Sequence, residues 1–300
     1  MVTINAADAG TIAIGGDLVV NRLGFGTMRL PGPGVIGPPA NLAAARETLR
    51  LLPELGVNLI ETSIAYGPLV ADLLVRDVLH PYAGIVIASS GGLLRPGPSQ
   101  WSIDGRPEAL RRAVETSLKV LGVERLDLWQ LQRFDPNVPI ADQFGAIAEM
   151  QRSGLIRHVG LCNVTVAQID AASSHFEVAC VQSRYHVIDR SEEPVLERCE
   201  RDGIPFLAYF PLATGALAAA DSVLVRIAGK LGITPGQVAL AWLLRRSKAI
   251  VVIPGTTEPL HLRENVAAAS VRLSDQAFVE IERIGRRAAM LRAPKAAAAG

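Results

Sequence analysis

The stretch "NLIETSIAYG", residues 58–67, places a carboxylate, Glu61, at the end of an apolar run that includes Val57, Leu59 and Ile60, with Tyr66 five residues on. A carboxyl and a phenol at that spacing suit proton transfer. Glu61 needs a cation if it is to stay ionised inside a protein; without one, burial favours its protonated form, and a carboxyl poised that way beside a tyrosine is an acid–base pair. Other polar residues close apolar runs in the same manner: Ser90, Gln132, Asn163, Gln182 and Tyr209, with Pro254 to Thr257 after the last run.

Apolar runs near 23–26, 57–61, 84–89, 126–131, 156–161, 178–182, 204–208 and 249–253 alternate with helix-length amphipathic segments near 41–55, 69–79, 106–121, 140–152, 165–174, 191–202, 234–247 and 259–269. Thr165 and Thr234 stand where they cap two of these helices, the second with Pro235 in its first turn. Eight units with continuously apolar strands predict an α/β fold, a parallel (β/α)8 barrel, whose functional residues gather at the C-terminal ends of the strands. "TIAIGGDLVVN" predicts a β-hairpin ahead of the first unit. A single domain over 1–300 is expected, because no linker divides the chain; the Ala-rich end, 288–300, is expected to be a disordered tail.

Bulk properties exclude several function classes. A net charge of +1 gives no field for nucleic acid or an anionic membrane. Hydrophobic residues make up 49% and mean hydropathy is +0.28, yet no apolar stretch reaches the ~18 residues of a membrane span. Cys162, Cys180 and Cys199 have no CxxC spacing, so reduced thiols and no metal site are expected. The start, "MVTINAADAG", lacks a basic region followed by an apolar stretch. A cytoplasmic protein acting on a small molecule is therefore expected.

"RLGFGTMRL", "GVNLIETSIAYGP", "GRPEALRRAVETSLKVLGVERLDLWQL", "IRHVGLCNVT", "VQSRYHVIDR" and "IPGTTEPLHLRENVAA" resemble, in order, segments of the aldo-keto reductases, from about Thr11 to Arg286. The resemblance implies a TIM barrel closed at the bottom by the N-terminal β-hairpin, and carbonyl reduction with NADP(H). It also implies a tyrosine acid, a lysine that lowers its pKa, an aspartate pairing the lysine and a histidine orienting the carbonyl. Tyr66 keeps the tyrosine position, whereas Glu61, Ser90 and Gln132 stand at those of aspartate, lysine and histidine.

On the cofactor side, the resemblance assigns Gly26, Thr27, Cys162, Asn163, Gln182, Tyr209, Pro211 and Leu212, with Asn163 and Gln182 on the carboxamide and Tyr209 stacked on the ring. Cys162 replaces a frequent serine. Gly255, Thr256, Thr257, His261, Glu264 and Asn265 match the segment that grips the adenosine phosphate. His261 replaces an arginine, which leaves NAD(H) open beside NADP(H).

Without the lysine, hydride transfer is expected to lose proton assistance worth ~10²–10⁴-fold. Three readings follow. The first expectation is an enzyme that binds NADP(H) but carries out redox-neutral acid–base chemistry: dehydration, isomerisation or cyclisation of a small carbonyl or enol. The second is a slow or specialised NADPH-dependent reductase using Tyr66, and the third is a non-catalytic cofactor-binding protein. Trp101 and Phe134 are expected in loops that wall an apolar pocket.

Overall fold

The computed structural model describes residues 4–213 and 223–292. Strands β1 (Thr11–Ile14) and β2 (Leu18–Asn21) form an antiparallel hairpin. The barrel staves are β3 (Phe25–Gly26), β4 (Leu59–Glu61), β5 (Val86–Gly91), β8 (Leu126–Leu131), β9 (Ile156–Cys162), β10 (Val178–Arg184), β11 (Phe206–Tyr209) and β12 (Ile250–Val252). Between β5 and β8 stands a second antiparallel hairpin, β6 (Leu93–Gly97) and β7 (Gln100–Ile103).

The eight staves pair in parallel in the order β12-β11-β10-β9-β8-β5-β4-β3. A parallel bridge from Leu23 to Val252 and the hydrogen bond Gly24 N to Val252 O (2.9 Å) bring the two edges together. The helices that follow the staves are α1 (Leu42–Glu54), α2 (Val70–Leu79), α3 (Pro107–Leu121), α4 (Ile140–Arg152), α5 (Val166–Ser173), α6 (Glu193–Asp202), α8 (Pro235–Arg246) and α9 (Pro259–Ala267). Two more, α7 (Val223–Leu231) and α10 (Asp275–Arg292), lie outside the repeating unit. The alternation expected from the apolar runs is the alternation observed.

Local chemistry accounts for the helix starts. Thr165 and Thr234 each accept from the backbone N–H three residues on, while Gln168 and Gln237 reach back to close a capping box. Pro235 occupies the first turn of α8, where its missing N–H costs nothing. The core has two layers. Inside the barrel, Leu59, Leu128, Leu207 and Val251 from the staves meet Ile14, Leu18 and Val20 of the first hairpin, which thereby plugs the bottom. Outside it, stave residues such as Ile60, Val159 and Val181 pack on helix residues such as Leu49, Ile147 and Leu240.

Asp17 at the hairpin turn bonds His158 Nε2 (2.7 Å) and pairs with Arg157, both on β9. Gly15 has φ +59°, and a Cβ there would fall 2.2 Å from the His158 ring. The plug is thus registered against one stave by charge and by the absence of a side chain.

The hairpin β6–β7, with α7 and α10, adds to the architecture expected from the sequence. "LLRPGPSQWSI" lacks clean alternation because of its prolines. Pro96 sits at an exposed position of a two-stranded ribbon, where no ladder N–H is needed. α10 carries the backbone to Arg292; the rest of the expected tail, 293–300, lies outside the described residues. Among those residues no single helix is long and apolar enough to cross a membrane, and none of the His, Cys, Asp and Glu side chains cluster as metal ligands. The three cysteines are buried free thiols.

Candidate active site

A cavity of about 690 Å³ opens at the C-terminal ends of the staves. Glu61 is the last residue of β4 and pairs in register with Gly26 of β3. The chain then turns sharply, with Tyr66 N bonded to Ser63 O (2.9 Å) and Ala71 N to Tyr66 O (3.1 Å), which folds Tyr66 back over the barrel mouth. Its hydroxyl lies 2.9 Å from Glu61 Oε1. Gln132, just past β8, approaches the same hydroxyl with Nε2 at 3.5 Å, and its Oε1 accepts from Ser63 Oγ at 3.1 Å. Glu61 and Tyr66 are only 3% and 5% exposed.

No cation balances Glu61 among the described residues; its partners are the Tyr66 hydroxyl and the Gln182 amide. Arg133, which also lines the cavity, donates Nη1 to Gln132 O at 3.0 Å. Burial therefore pushes the Glu61 carboxyl up to about 7, against the two hydrogen bonds and with a small push from Asp72. Burial, then the neighbouring Glu61, raises Tyr66 well above the usual tyrosine value. A phenol in that setting stays protonated at neutral pH; it can pass a proton on but cannot rest as phenolate.

Asp72, on α2, is a second buried carboxyl that sequence reading missed. It accepts from Thr62 Oγ1 (3.0 Å), which in turn accepts from Thr27 Oγ1 (3.0 Å), while its Oδ2 has no hydrogen-bond partner. Burial raises it to about 7 as well. The available signal was its place between Ala71 and Leu74 on the buried face of α2.

The expected site residues divide into two groups. Gly26, Glu61, Tyr66, Gln132, Cys162, Asn163, Gln182, Tyr209, Pro211, Leu212 and Gly255 all line the cavity. Ser90 does not: fully buried below the floor, it donates Oγ to Thr62 O at 3.2 Å. Thr27 is likewise buried in the Thr62–Asp72 chain. Thr256, Thr257, His261, Glu264 and Asn265 continue from Gly255 into α9, beyond the cavity wall. Thr256 Oγ1 accepts from Glu258 N (3.0 Å), Thr257 O from Thr48 Oγ1 (3.0 Å), and His261 is exposed.

Of the two aromatic residues expected in the wall, Trp101 lines the cavity, on β7. Phe134 packs edge-on against Phe144 instead. His186 sits buried in a turn closed by backbone bonds with Asp189. Arg29, Arg95 and Arg184 in the wall had no place in the sequence reading.

The side chains on the cofactor side are held by hydrogen bonds to one another. Tyr209 donates to Asn163 Oδ1 at 2.6 Å, and Asn163 holds φ +55°, unusual for a residue with a side chain. Gln182 accepts from the Cys162 thiol (3.3 Å) through Oε1 and donates to Glu61, which links the carboxamide position expected from sequence to the acid–base pair. Gly26 and Gly255 pass so closely that a Cβ on Gly255 would lie 2.2 Å from Gly26 O. That rim is bare backbone that a ligand can approach closely, and with the amides of Asn163 and Gln182 and the ring of Tyr209 the cavity fits a dinucleotide.

Comparison with known proteins places this geometry. Residues 22–286 match the model of the aldo/keto reductase family. The chain is 46% identical over 283 residues to an uncharacterized oxidoreductase of Schizosaccharomyces pombe, covering 94% of this chain and 92% of that one. It is 40% identical over 274 residues to pyridoxine 4-dehydrogenase of Escherichia coli, covering 89% and 96%.

Among solved structures, a thermostable aldo-keto reductase in complex with the inhibitor epalrestat superposes with a TM-score of 0.77 at 28% identity, over 89% of this chain and 96% of that one. An aldo/keto reductase from Klebsiella pneumoniae, in complex with NADP and acetate, gives 0.75 at 25% identity, over 91% and 94%. With a barrel plugged by its own hairpin and a tyrosine–carboxyl pair on the cavity floor, the chain belongs to the aldo/keto reductase family.

Proposed function

We propose that this protein is an NADP(H)-dependent oxidoreductase that interconverts a small carbonyl compound and its alcohol, with Glu61 serving as the proton store behind Tyr66. The observation that carries the reading is the 2.9 Å contact between the Tyr66 hydroxyl and a carboxyl held near pKa 7. Membership of the family, the NADP in the Klebsiella structure and the dehydrogenase among the relatives support it.

When bound, NADP(H) would supply or accept the hydride. Asn163, Gln182 and Tyr209 would hold its nicotinamide end, and the bare rim at Gly26 and Gly255, continuing into 256–265, its phosphates. In reduction, Tyr66 gives its hydroxyl proton to the carbonyl oxygen as negative charge develops there. The protonated Glu61 returns a proton to the Tyr66 oxygen along the same 2.9 Å line and is left as carboxylate. Gln132 Nε2 donates towards the reacting oxygen, in the role the family gives to histidine. Oxidation runs the chain in reverse, with ionised Glu61 as the final base. The carboxyl thus replaces the missing lysine by storing a proton rather than by stabilising phenolate.

The redox-neutral reaction expected from the substituted set would use the same pair, but nothing in the relatives' names favours it. A non-catalytic role leaves the destabilising burial of an uncompensated Glu61 without purpose. The test is NADPH consumption, and NADP⁺ reduction with the matching alcohols, against a panel of aldehydes and alcohols that includes pyridoxal and pyridoxine. Turnover is expected in at least one direction. Tight NADPH binding by calorimetry with no turnover of any panel member refutes the reading.

A further inference from the structure

β6 alternates buried and exposed residues along Leu93–Gly97, so Arg95 points inward with Leu93 and Gly97, into the cavity wall. It is only 6% exposed. Nη1 donates to Gly34 O at 3.0 Å, but Nε and Nη2 have no hydrogen-bond partner, and no carboxylate pairs with Arg95 among the described residues. Trp101 of β7 lies flat over the guanidinium, its ring centre 3.2 Å from Cζ. Stacking compensates part of the desolvation, yet two charged donors buried without acceptors remain strongly unfavourable. Nε and Nη2 form one edge of the guanidinium, the edge that matches the two oxygens of a carboxylate or phosphate.

Position separates this edge from the cofactor's own phosphates. Arg95 follows β5 and Arg133 follows β8, whereas Pro211, Leu212 and Gly255 follow β11 and β12. In the eight-strand ring β5 stands four places from β11, and β8 four from β12, so the two groups face each other across the mouth. Arg95 also lies within electrostatic range of the Tyr66 hydroxyl, which puts it near the reacting end of a bound substrate. Among the described residues the wall's one carboxylate, Glu61, is engaged with Tyr66 and Gln182 and does not neutralise it.

We propose that the Nε–Nη2 edge of Arg95, with Arg133 on the same wall and Trp101 as its cover, is a substrate anion subsite, so that the substrates are carbonyl compounds or alcohols carrying a carboxylate or a phosphate ester. The proposal rests on the oxidoreductase reading above. The anion accepts both hydrogen bonds from Arg95 while the carbonyl oxygen meets Tyr66. Apolar neighbours at Leu93 and Ile103 take the body of the molecule between them.

The experiment compares kcat/KM with NADPH for 3- and 4-carboxybenzaldehyde, 4-formylphenyl phosphate and the neutral methyl 4-formylbenzoate. At least one anionic aldehyde should exceed the ester by about 10–100-fold, the range of a hydrogen-bonded charge pair. Preference for the carboxylates or for the phosphate tells which anion the subsite takes. In R95Q the ratio of the preferred anion to the ester should fall at least tenfold, and R95K should restore part of it. A wild-type ester as good as every anion, or a ratio unmoved in R95Q, overturns the proposal.

Equilibrium binding keeps this separate from the oxidoreductase reading. Calorimetry with NADP⁺ present should show the corresponding (hydroxymethyl)benzoates or phosphate binding more tightly than the methyl ester. If no aldehyde turns over but this preference holds, the subsite stands and the reaction assignment falls. Equal binding of anion and ester overturns the subsite whatever the kinetics show.

Discussion

Replacing Glu61 with glutamine keeps the shape of the side chain and an acceptor for the Tyr66 hydroxyl, but removes the proton that the carboxyl stores. Wild-type reduction needs protonated Glu61, so kcat/KM should be level below pH about 7 and fall roughly tenfold per pH unit above it. Oxidation needs the carboxylate and should rise to a plateau above the same pH. In E61Q both breaks should vanish, and reduction at pH 6 should drop ~10²–10⁴-fold, the usual worth of general acid catalysis, or ~3–5 kcal/mol of barrier.

Stability supplies an independent check with a defined sign. The folded-state pKa is raised from 4.5 to about 7, so the carboxyl's stabilisation is complete below 4.5 and is lost as pH climbs through 7. The full loss is ~3 kcal/mol, since each unit is worth about 1.4 kcal/mol. E61Q should therefore gain on the wild type between pH 5 and pH 8 in thermal unfolding. The assay pairs steady-state NADPH consumption across pH with calorimetric unfolding of both proteins, and NADPH titration confirms that the cofactor still binds. An E61Q variant with full activity and an unmoved pH break near 7 would refute the proton-store mechanism.

D72N should flatten the remaining pH dependence of stability, because Asp72 is raised from 3.8 to about 7 and likewise loses its contribution as pH rises through 7; it should also move the kinetic break downward, since Asp72 adds to the push on Glu61. G255A places a Cβ against Gly26 O and should cost roughly 1–3 kcal/mol of stability while weakening NADPH binding at least tenfold by calorimetry, whereas wild-type affinity would show that the backbones move apart freely. The combined change E61D, S90K and Q132H restores the family's set; it should raise aldehyde reduction at pH 8 at least tenfold and abolish the break near 7, and an unchanged profile would mean that a lysine at 90 does not reach Tyr66.

Much of this arrangement was legible because barrel staves are apolar on both faces and so read as uninterrupted runs, while each polar residue that closes a run marks the mouth. Glu61, Tyr66, Gln132, Asn163, Gln182 and Tyr209 were found that way and do line one cavity. The same rule misplaced Ser90. A serine at a strand end carries no information about whether the strand finishes above or below the floor, and β5 continues to Gly91. Asp72 was hidden because an acid early in a helix reads as a solvated first-turn residue. Arg95 was hidden because prolines break the alternation that would have shown it facing inward.

These omissions share a cause that bears on the mechanism. Pattern reading sorts residues by whether water or hydrocarbon suits them, so it finds charges that sit where charge is cheap. Asp72 and Arg95 sit where charge is expensive, and so does Glu61, which was legible only because it closes an apolar run. In the family's usual set a lysine ammonium offsets the buried carboxylate and stabilises phenolate at the same time. With Ser90 there instead, neither service is available, and Coulomb interactions at low effective dielectric leave one remaining solution, a carboxyl that is neutral part of the time. A group neutral part of the time at pH 7 is a proton donor and acceptor of nearly matched strength, which is the condition under which general acid–base catalysis works in both directions. The substitution that removes the cation therefore also creates the reservoir that replaces it, provided that nothing else ionic reaches Glu61. The described residues meet that condition: its contacts are a phenol and an amide, Arg133 donates to Gln132 O and Arg95 to Gly34 O, and no cation forms a salt bridge with it.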